Sequence, residues 1–170
     1  VLLVRSATTV RKDLIDACQH LKVVGRGGVG MDNIDVDYAR EKGINVINTP
    51  AASSASVAEL VFAHLFGMVR FLFDSNRQMP MVGDADFKGL KKSYANGREL
   101  AGKTLGIIGF GRIGQEVAKR AIGLGMKVMA HDKFIEEGNI TLNFFNGDKK
   151  SFTIETESLK EVLKNSGFIT

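Results

Sequence analysis

The hexapeptide Gly109-Phe110-Gly111-Arg112-Ile113-Gly114 decides the fold, because it matches the pattern G-x-G-x-x-G between two regular segments. An apolar segment at 104–108 precedes it and predicts a strand. An amphipathic segment at 112–124 follows it and predicts a helix, and a second apolar segment at 127–131 predicts a returning strand. Strand, glycine turn, helix and strand form a β-α-β unit, so the sequence predicts an α/β protein with a Rossmann-like parallel sheet.

Each glycine of this turn has its own role in such a unit. Gly109 permits the tight turn after the strand, and Gly111 lets the backbone approach a pyrophosphate with no Cβ in between. Gly114 allows the helix to lie close to the sheet. The N–H groups of Arg112 and Ile113 then face the phosphates, where the helix dipole also favours negative charge. The turn is therefore predicted to bind a dinucleotide.

An acidic residue completes the dinucleotide pattern. Asp132 stands at the end of the returning strand, 21 residues after Gly111, where a carboxylate accepts hydrogen bonds from the ribose hydroxyls. The same carboxylate would repel the 2′-phosphate of NADP, so the predicted cofactor is NAD, although the neighbouring Lys133 weakens this repulsion slightly. The alternative is a Rossmann-like unit that binds another nucleotide or none.

The N-terminal third shows a second α/β pattern. Apolar runs at 1–4, 21–24 and 44–47 alternate with short helical segments, as in a parallel sheet. We therefore predict a parallel α/β unit at 1–51, followed by part of an NAD-binding Rossmann domain at 52–170. Both ends of the sequence fall on predicted strands, so we expect a piece of a longer protein with an incomplete, doubly wound parallel sheet.

Two further elements are predicted in the second domain. A long hinge helix is expected at about 54–76, followed by a polar, irregular stretch at 78–98 with one or two helical turns near 87–94. Two alternating segments at about 140–156 flank Asn146-Gly147, which is a strong hairpin signal and is read as a structural insertion.

Polar and small residues follow the first two strands of the N-terminal pattern. Arg5 and Arg26 each come directly after an apolar run, and carboxyl ends of parallel strands meet at one edge of a sheet, where ligands bind. Guanidinium groups there suit an anionic substrate. The glycine-rich loop at 25–30 exposes backbone N–H groups that can hold a carboxylate or a phosphate. The alternatives are two surface arginines and a simple tight turn.

Composition excludes several classes of protein. Hydrophobic residues make up 44% and charged residues 25% of the chain, as in ordinary globular domains. The net charge of +4 suits a small anion, and no nucleic-acid-binding motif is present. No apolar run has the length of a membrane span, and no signal peptide or disulfide pair is recognisable, which predicts a cytoplasmic protein. No metal site is predicted, and none of the three histidines has the partner a catalytic base needs.

Several motifs in order along the chain carry a resemblance to one family. They are Val4-Arg5-Ser6-Ala7-Thr8, Gly25 to Asp35, Asn48-Thr49-Pro50, Val57-Ala58-Glu59-Leu60, Glu99 to Gly109, Gly114 to Asp132 and Ser166 to Thr170. With them the chain resembles the D-isomer-specific 2-hydroxyacid dehydrogenases, and among these the members that oxidise 3-phosphoglycerate for serine synthesis. The family resemblance of its motifs implies that the unit at 1–51 is part of a flavodoxin-like substrate domain. Ser53 departs from the family, which often has Asn there.

The resemblance implies specific site residues. The side chains of Arg5, Ser6 and Arg26 would line the pocket of a phosphorylated 2-hydroxy acid. Backbone groups of the segment Gly28-Val29-Gly30 would meet the substrate carboxylate, with Val29 also near the nicotinamide.

The resemblance also implies what the 170 residues lack. The family's catalytic arginine, glutamate and histidine are expected beyond the last residue, so no catalytic residue is predicted within the chain, which would be inactive by itself. Family members pair through their nucleotide domains, which predicts a homodimer or larger assembly. The alternatives are a lactate- or glyoxylate-type dehydrogenase and an NAD(H)-sensing module like the transcriptional corepressors of the same scaffold.

Overall fold

The computed structural model describes all 170 residues, which form two compact units, Val1–Ser54 and Ala55–Thr170. The strands are β1 (Leu2–Val4), β2 (Val23–Arg26), β3 (Asn45–Asn48), β4 (Thr104–Ile108), β5 (Lys127–His131), β6 (Glu137–Asn143), β7 (Lys149–Glu155) and β8 (Phe168–Ile169). The helices are α1 (Lys12–Ala17), α2 (Val36–Glu41), α3 (Ser54–Val69), α4 (Leu72–Ser93), α5 (Arg112–Gly123) and α6 (Leu159–Asn165). The α/β class predicted from the sequence is confirmed.

The first unit is built on a parallel sheet in the order β1-β2-β3. Val4 is paired with Arg26, and Arg26 with Asn48, so the three strands end level at their carboxyl edge. This edge is where the polar residues of the unit meet. Its core is made of Val4, Val10, Ile15, Val24, Ile34, Ala39 and Ile44.

The second unit contains the β-α-β element around the glycine turn. Strands β5, β4 and β8 form a parallel sheet in that order. Helix α5 packs on β4 and β5 through four buried residues, namely Gly114, Val117, Ala118 and Ala121. Because these four residues recur at helical spacing, the helix buries one face. Its first turn lies at the carboxyl end of β4.

A hairpin follows the β-α-β element. Strands β6 and β7 pair antiparallel from Glu137 with Glu155 to Asn143 with Lys149. The turn between them contains Gly147 in the left-handed region, with φ of 89°, which a glycine adopts without strain. Strand β6 lies against α5, and Ile140 is fully buried in the core of the second unit.

The helical region after the first unit differs from the prediction. The single helix expected at 54–76 ends at Val69. The stretch 78–98, expected to be irregular apart from one or two turns near 87–94, is helical as far as Ser93. Phe71 breaks the helix, since its φ of 55° and ψ of 30° are left-handed. The N–H of Arg98 donates to the carbonyl of Val69 at 2.9 Å, so the last carbonyl of α3 has a hydrogen-bond donor outside the helix.

Most of α4 was not predicted from the sequence, for a physical reason. Helix α4 has no buried residue, so it carries no apolar stripe directed at a core of this chain. Its regularity is interrupted at Asp86, whose φ of −139° and ψ of 50° are not helical. A periodicity of hydrophobic residues therefore could not reveal it.

None of the six helices by itself combines the length and the hydropathy of a membrane-spanning helix. Helices α3 and α4 taken together reach that length and composition, but they are bent by 57° at their junction.

Candidate functional site

The glycine turn of the second unit is tightly held. Gly109 has φ of 97°, which favours glycine, and its N–H donates to the carbonyl of His131 at 2.8 Å. A Cβ at Gly114 would overlap the carbonyl oxygen of Gly109, so only glycine lets α5 start this close to the end of β4. The chain therefore enters the helix directly above the strand.

The same turn leaves backbone donors free. The N–H groups of Gly111, Arg112 and Ile113 have no acceptor within the chain, and no side chain caps the helix at Gly111. A Cβ at Gly111 would meet no atom within 4 Å. Open space in front of unpaired N–H groups at a helix N-terminus fits a pyrophosphate, because the helix dipole favours a negative group there.

Asp132 lies beside this turn. Its Oδ2 accepts a hydrogen bond from the N–H of Phe110 at 2.7 Å, and its Oδ1 accepts from Phe134 at 2.8 Å and from Ile135 at 3.1 Å. These three hydrogen bonds lower the pKa of Asp132, and the bond from Phe134 has the largest effect. The carboxylate is thus ionised at neutral pH and joined to the turn, with acceptor capacity left for a ribose hydroxyl.

The predicted cofactor residues thus lie close together, with one exception. Gly109, Gly111, Arg112, Ile113, Gly114 and Asp132 all belong to or adjoin the turn. Val29, which the resemblance placed near the nicotinamide, belongs to the first unit.

A cavity of about 590 Å³ opens at the carboxyl edge of the sheet in the first unit. It is lined by Arg5 and Arg26 together with Thr8, Asn48 and Thr49, among others. Neither arginine has an acidic partner within salt-bridge distance, and the Nε of Arg26 is buried with no hydrogen-bond partner. Two unpaired guanidinium groups in one cavity suit an anion with several oxygen atoms.

The glycine loop of the first unit adjoins Arg26. A Cβ at Gly28 would lie 2.7 Å from Nη1 of Arg26, and one at Gly30 would lie 3.7 Å from it. The loop is fastened to the end of β3, because Asn48 Nδ2 donates to the carbonyl of Val29 at 2.6 Å and the N–H of Thr49 donates to Gly28 at 3.1 Å. Ser6 and the segment 28–30 do not line the cavity itself.

Two asparagines of this site were not singled out from the sequence. Asn48 ends β3 at the same edge as Arg26, so the strand-end rule applied to the arginines would have found it. Asn33 is 6% exposed, and its Nδ2 donates to the carbonyls of Arg5 at 3.0 Å and Thr8 at 2.6 Å. It therefore fixes the loop after β1, and its distance of 28 residues from Arg5 hides this contact from any local pattern.

Replacing Asn33 with alanine is expected to lower the free energy of unfolding by about 1–3 kcal/mol, because two carbonyls lose their donor inside the fold. Equilibrium urea unfolding of the native full-length protein measures this. The matched control is Asn45→Ala, at an exposed position of β3, which is expected to change stability by less than about 0.5 kcal/mol. Equal effects of the two substitutions would contradict the role given to Asn33.

The geometry of the two units defines a class of protein. One unit has a glycine turn with free N–H groups beside the ionised Asp132, and the other has a cationic cavity at the carboxyl edge of a parallel sheet. Such a pair is typical of dehydrogenases that act on small anionic metabolites.

The comparison with known families agrees with this class. The family model described as D-isomer specific 2-hydroxyacid dehydrogenase, catalytic domain, matches residues 1–167. The chain belongs to this family. The resemblance seen in its motifs is thereby confirmed.

The individual relatives are named for different substrates. The chain is 47% identical over 148 residues to a hydroxypyruvate reductase of Thermotoga maritima, covering 87% of this chain and 46% of that protein. It is 43% identical over 171 residues to a D-3-phosphoglycerate dehydrogenase of Methanocaldococcus jannaschii, covering 100% of this chain and 30% of that protein. The chain thus spans less than half the length of these relatives.

Solved structures share the fold. The TT0316 protein of Thermus thermophilus is 30% identical with a TM-score of 0.78, covering 99% of this chain and 49% of that one. The D-lactate dehydrogenase of Aquifex aeolicus, complexed with NAD and lactic acid, is 31% identical with a TM-score of 0.65, covering 98% of this chain and 46% of that one.

Proposed function

We propose that these residues form the NAD-binding part and half of the substrate pocket of an NAD-dependent dehydrogenase that oxidises 3-phosphoglycerate. The observation that carries the proposal is the pair Arg5 and Arg26, which share one cavity and have no acidic partner. A phosphorylated 2-hydroxy acid has two anionic groups, so it can use two guanidinium groups where an unphosphorylated acid has one anion to offer. Relatives of 40% and 43% identity carry the corresponding enzyme name.

The roles of the residues follow from their contacts. The free N–H groups of Gly111, Arg112 and Ile113 would hold the pyrophosphate of NAD, and Asp132 would accept from the adenosine ribose. Arg5 and Arg26 in the cavity would bind the anionic ends of the hydroxy acid. The adjoining loop would offer the N–H groups of Val29 and Gly30 to its carboxylate, since the N–H of Gly28 already donates to the carbonyl of Arg26. When bound, the nicotinamide supplies the hydride acceptor.

The first experiment follows NADH production by the native full-length protein with 3-phosphoglycerate, D-glycerate and D-lactate as separate substrates. We expect turnover of 3-phosphoglycerate, and we expect Arg5→Ala to lower kcat/KM about tenfold or more, mainly through KM, because a charge-assisted hydrogen bond is lost. Arg40→Ala, an exposed cation on α2, serves as the control and should leave KM unchanged. Absence of turnover with all three substrates, despite NADH binding, would favour an NAD(H)-sensing module.

A second candidate substrate has its own support. The relative of 47% identity is named hydroxypyruvate reductase. Hydroxypyruvate differs from the first candidate by lacking the phosphate, so its reduction should not depend on a second cation. Faster NADH oxidation with hydroxypyruvate than with 3-phosphohydroxypyruvate, insensitive to Arg5→Ala, would replace the phosphoglycerate assignment.

We also propose that the protein forms a homodimer through an α3–α4 apolar surface, defined as Leu60, Phe66, Met68, Leu72, Phe73 and Met81. These side chains are exposed, Met68 to 68%, Phe73 to 71% and Met81 to 77%. Helices α3 and α4 thus expose large apolar side chains on more than one face, which fits a region that another chain covers, and most soluble oligomers are formed by identical chains.

The dimer is tested with Phe73→Glu. A charge on this surface is expected to weaken the dimer at least tenfold, because it would have to be desolvated in the interface. Sedimentation velocity over a range of concentrations reports the change. Phe134→Glu, at an exposed side chain far along the chain, is the control. A wild-type protein that sediments as a monomer at all concentrations would overturn this proposal.

A further inference from the structure

Phe110, the residue between the first two glycines of the turn, is fixed by hydrogen bonds to both of its backbone groups and by the burial of its side chain. Its N–H donates to Asp132, its carbonyl accepts from Gln115 Nε2 at 3.0 Å, and its side chain is fully buried. Asp132 was expected from the sequence as the ribose acid. Gln115 was not assigned any role, although it follows the last glycine of the pattern directly.

Gln115 donates hydrogen bonds to two successive carbonyl groups of the turn. Its side chain donates to the carbonyl of Phe110, and its backbone N–H donates to the carbonyl of Gly111 at 2.9 Å. In a trans peptide the C=O and the following N–H point in opposite directions. When both carbonyls are bound on the side of α5, the N–H groups of Gly111 and Arg112 must therefore point away from it. These N–H groups are among those left without an acceptor.

Strand β6 of the hairpin packs against both Phe110 and Gln115. A Cβ at Gly138 of β6 would lie 2.6 Å from Cε1 of Phe110 and 3.4 Å from Nε2 of Gln115. Strand β6 thus packs directly on the aromatic ring and over the amide, and this approach needs a glycine. The amide is thereby part-buried, so water competes poorly for its hydrogen bond to Phe110.

We infer that Gln115 is a positioning residue for the pyrophosphate: its side-chain amide sets the direction of the Gly111 N–H group, and Gly138 of the hairpin keeps this amide in place. The direction of the Arg112 N–H group is set by the first main-chain hydrogen bond of α5. This inference rests on the proposed NAD-binding function. It assigns the hairpin a part in cofactor binding, whereas the sequence indicated only a structural insertion.

The test uses the native full-length protein and ligands that differ in phosphate content. NADH and ADP-ribose contain the pyrophosphate, and adenosine lacks it. Gln115→Met keeps the length of the side chain but removes the donor, so we expect the Kd of NADH and of ADP-ribose to rise about tenfold. The Kd of adenosine, followed by ligand-observed NMR, should change less than about twofold, since its binding site is unaltered.

Two further variants complete the design. Gln115→Leu repeats the loss of the donor with a different shape and replaces the first variant if that one does not fold. Lys119→Met, at a half-buried side chain one turn further along α5, is the control and should leave all three dissociation constants unchanged.

The outcomes separate the possible failures. Equal weakening of NADH, ADP-ribose and adenosine would mean that Gln115 serves stability alone, and unchanged affinity for all three would mean that it has no role in binding; either overturns the inference. A wild-type protein that does not bind NADH would instead overturn the proposed function.

Discussion

Replacing Gly111 with valine is expected to raise the Kd of NADH by a hundredfold or more while leaving the melting temperature nearly unchanged. Gly111 has φ of −71°, which any residue adopts, and a Cβ there would touch no atom of the protein within 4 Å. The side chain would occupy the space in front of the free N–H groups. Loss of two charge-assisted hydrogen bonds at about 1.5–3 kcal/mol each accounts for the magnitude.

This prediction is measured by fluorescence titration with NADH and by thermal unfolding of the same samples. Gly123→Ala is the matched control, because Gly123 also has open space around it but lies at the other end of α5. It should leave the Kd unchanged and stabilise the helix by up to about 1 kcal/mol. Binding of NADH by Gly111→Val at the wild-type affinity would show that the pyrophosphate lies elsewhere.

The second large effect concerns the choice between NADH and NADPH. Asp132→Asn is expected to reduce the preference for NADH at least tenfold, mainly by tightening the binding of NADPH. A carboxylate and a 2′-phosphate a few ångströms apart repel each other by about 1–3 kcal/mol at a protein surface. The amide keeps the shape of the side chain but removes the charge.

The pH dependence of this preference follows from the hydrogen bonds of Asp132. The N–H groups of Phe134 and Phe110 lower the pKa of Asp132 below the usual range of an aspartate. A group with a lowered pKa in the folded state stays ionised above that range, and the stability it contributes is lost only as the pH falls through the lowered pKa. The preference for NADH should therefore not titrate with Asp132 between pH 5 and pH 8, a range in which an ordinary carboxyl group of pKa about 4 is already ionised.

Competition titrations with NADH and NADPH at constant salt measure the preference. Asp148→Asn removes the same charge in the turn of the hairpin, where Asp148 accepts from Asn146 at 2.7 Å. This control should leave the ratio of the two dissociation constants unchanged. An identical ratio in wild type and Asp132→Asn would mean that another residue discriminates, and Lys133 would then be the first to examine.

Some segments of this chain could be predicted from the sequence and others could not, for identifiable physical reasons. The β-α-β element and the strands of the first unit were predicted because their apolar residues face a core within this chain. The end of α3 and most of α4 were wrongly predicted, because the break at Phe71 has no glycine or proline to mark it and α4 buries nothing. Arg5 and Arg26 were correctly expected at one sheet edge, where they line one cavity.

The sequence by itself determined the family, the parallel α/β units, the glycine turn and the position of Asp132. The family followed from the resemblance of motifs, and the other three depend on local properties, namely the backbone freedom of glycine, the periodicity of apolar residues and the order of strand and helix. The tertiary structure alone decided that Asn33 and Asn48 fasten the loops of the cationic cavity, that the N–H of Phe110 donates to Asp132, and that the hairpin packs over Gln115. Such contacts join residues that are distant along the chain, so their partners exist only after the strands have packed.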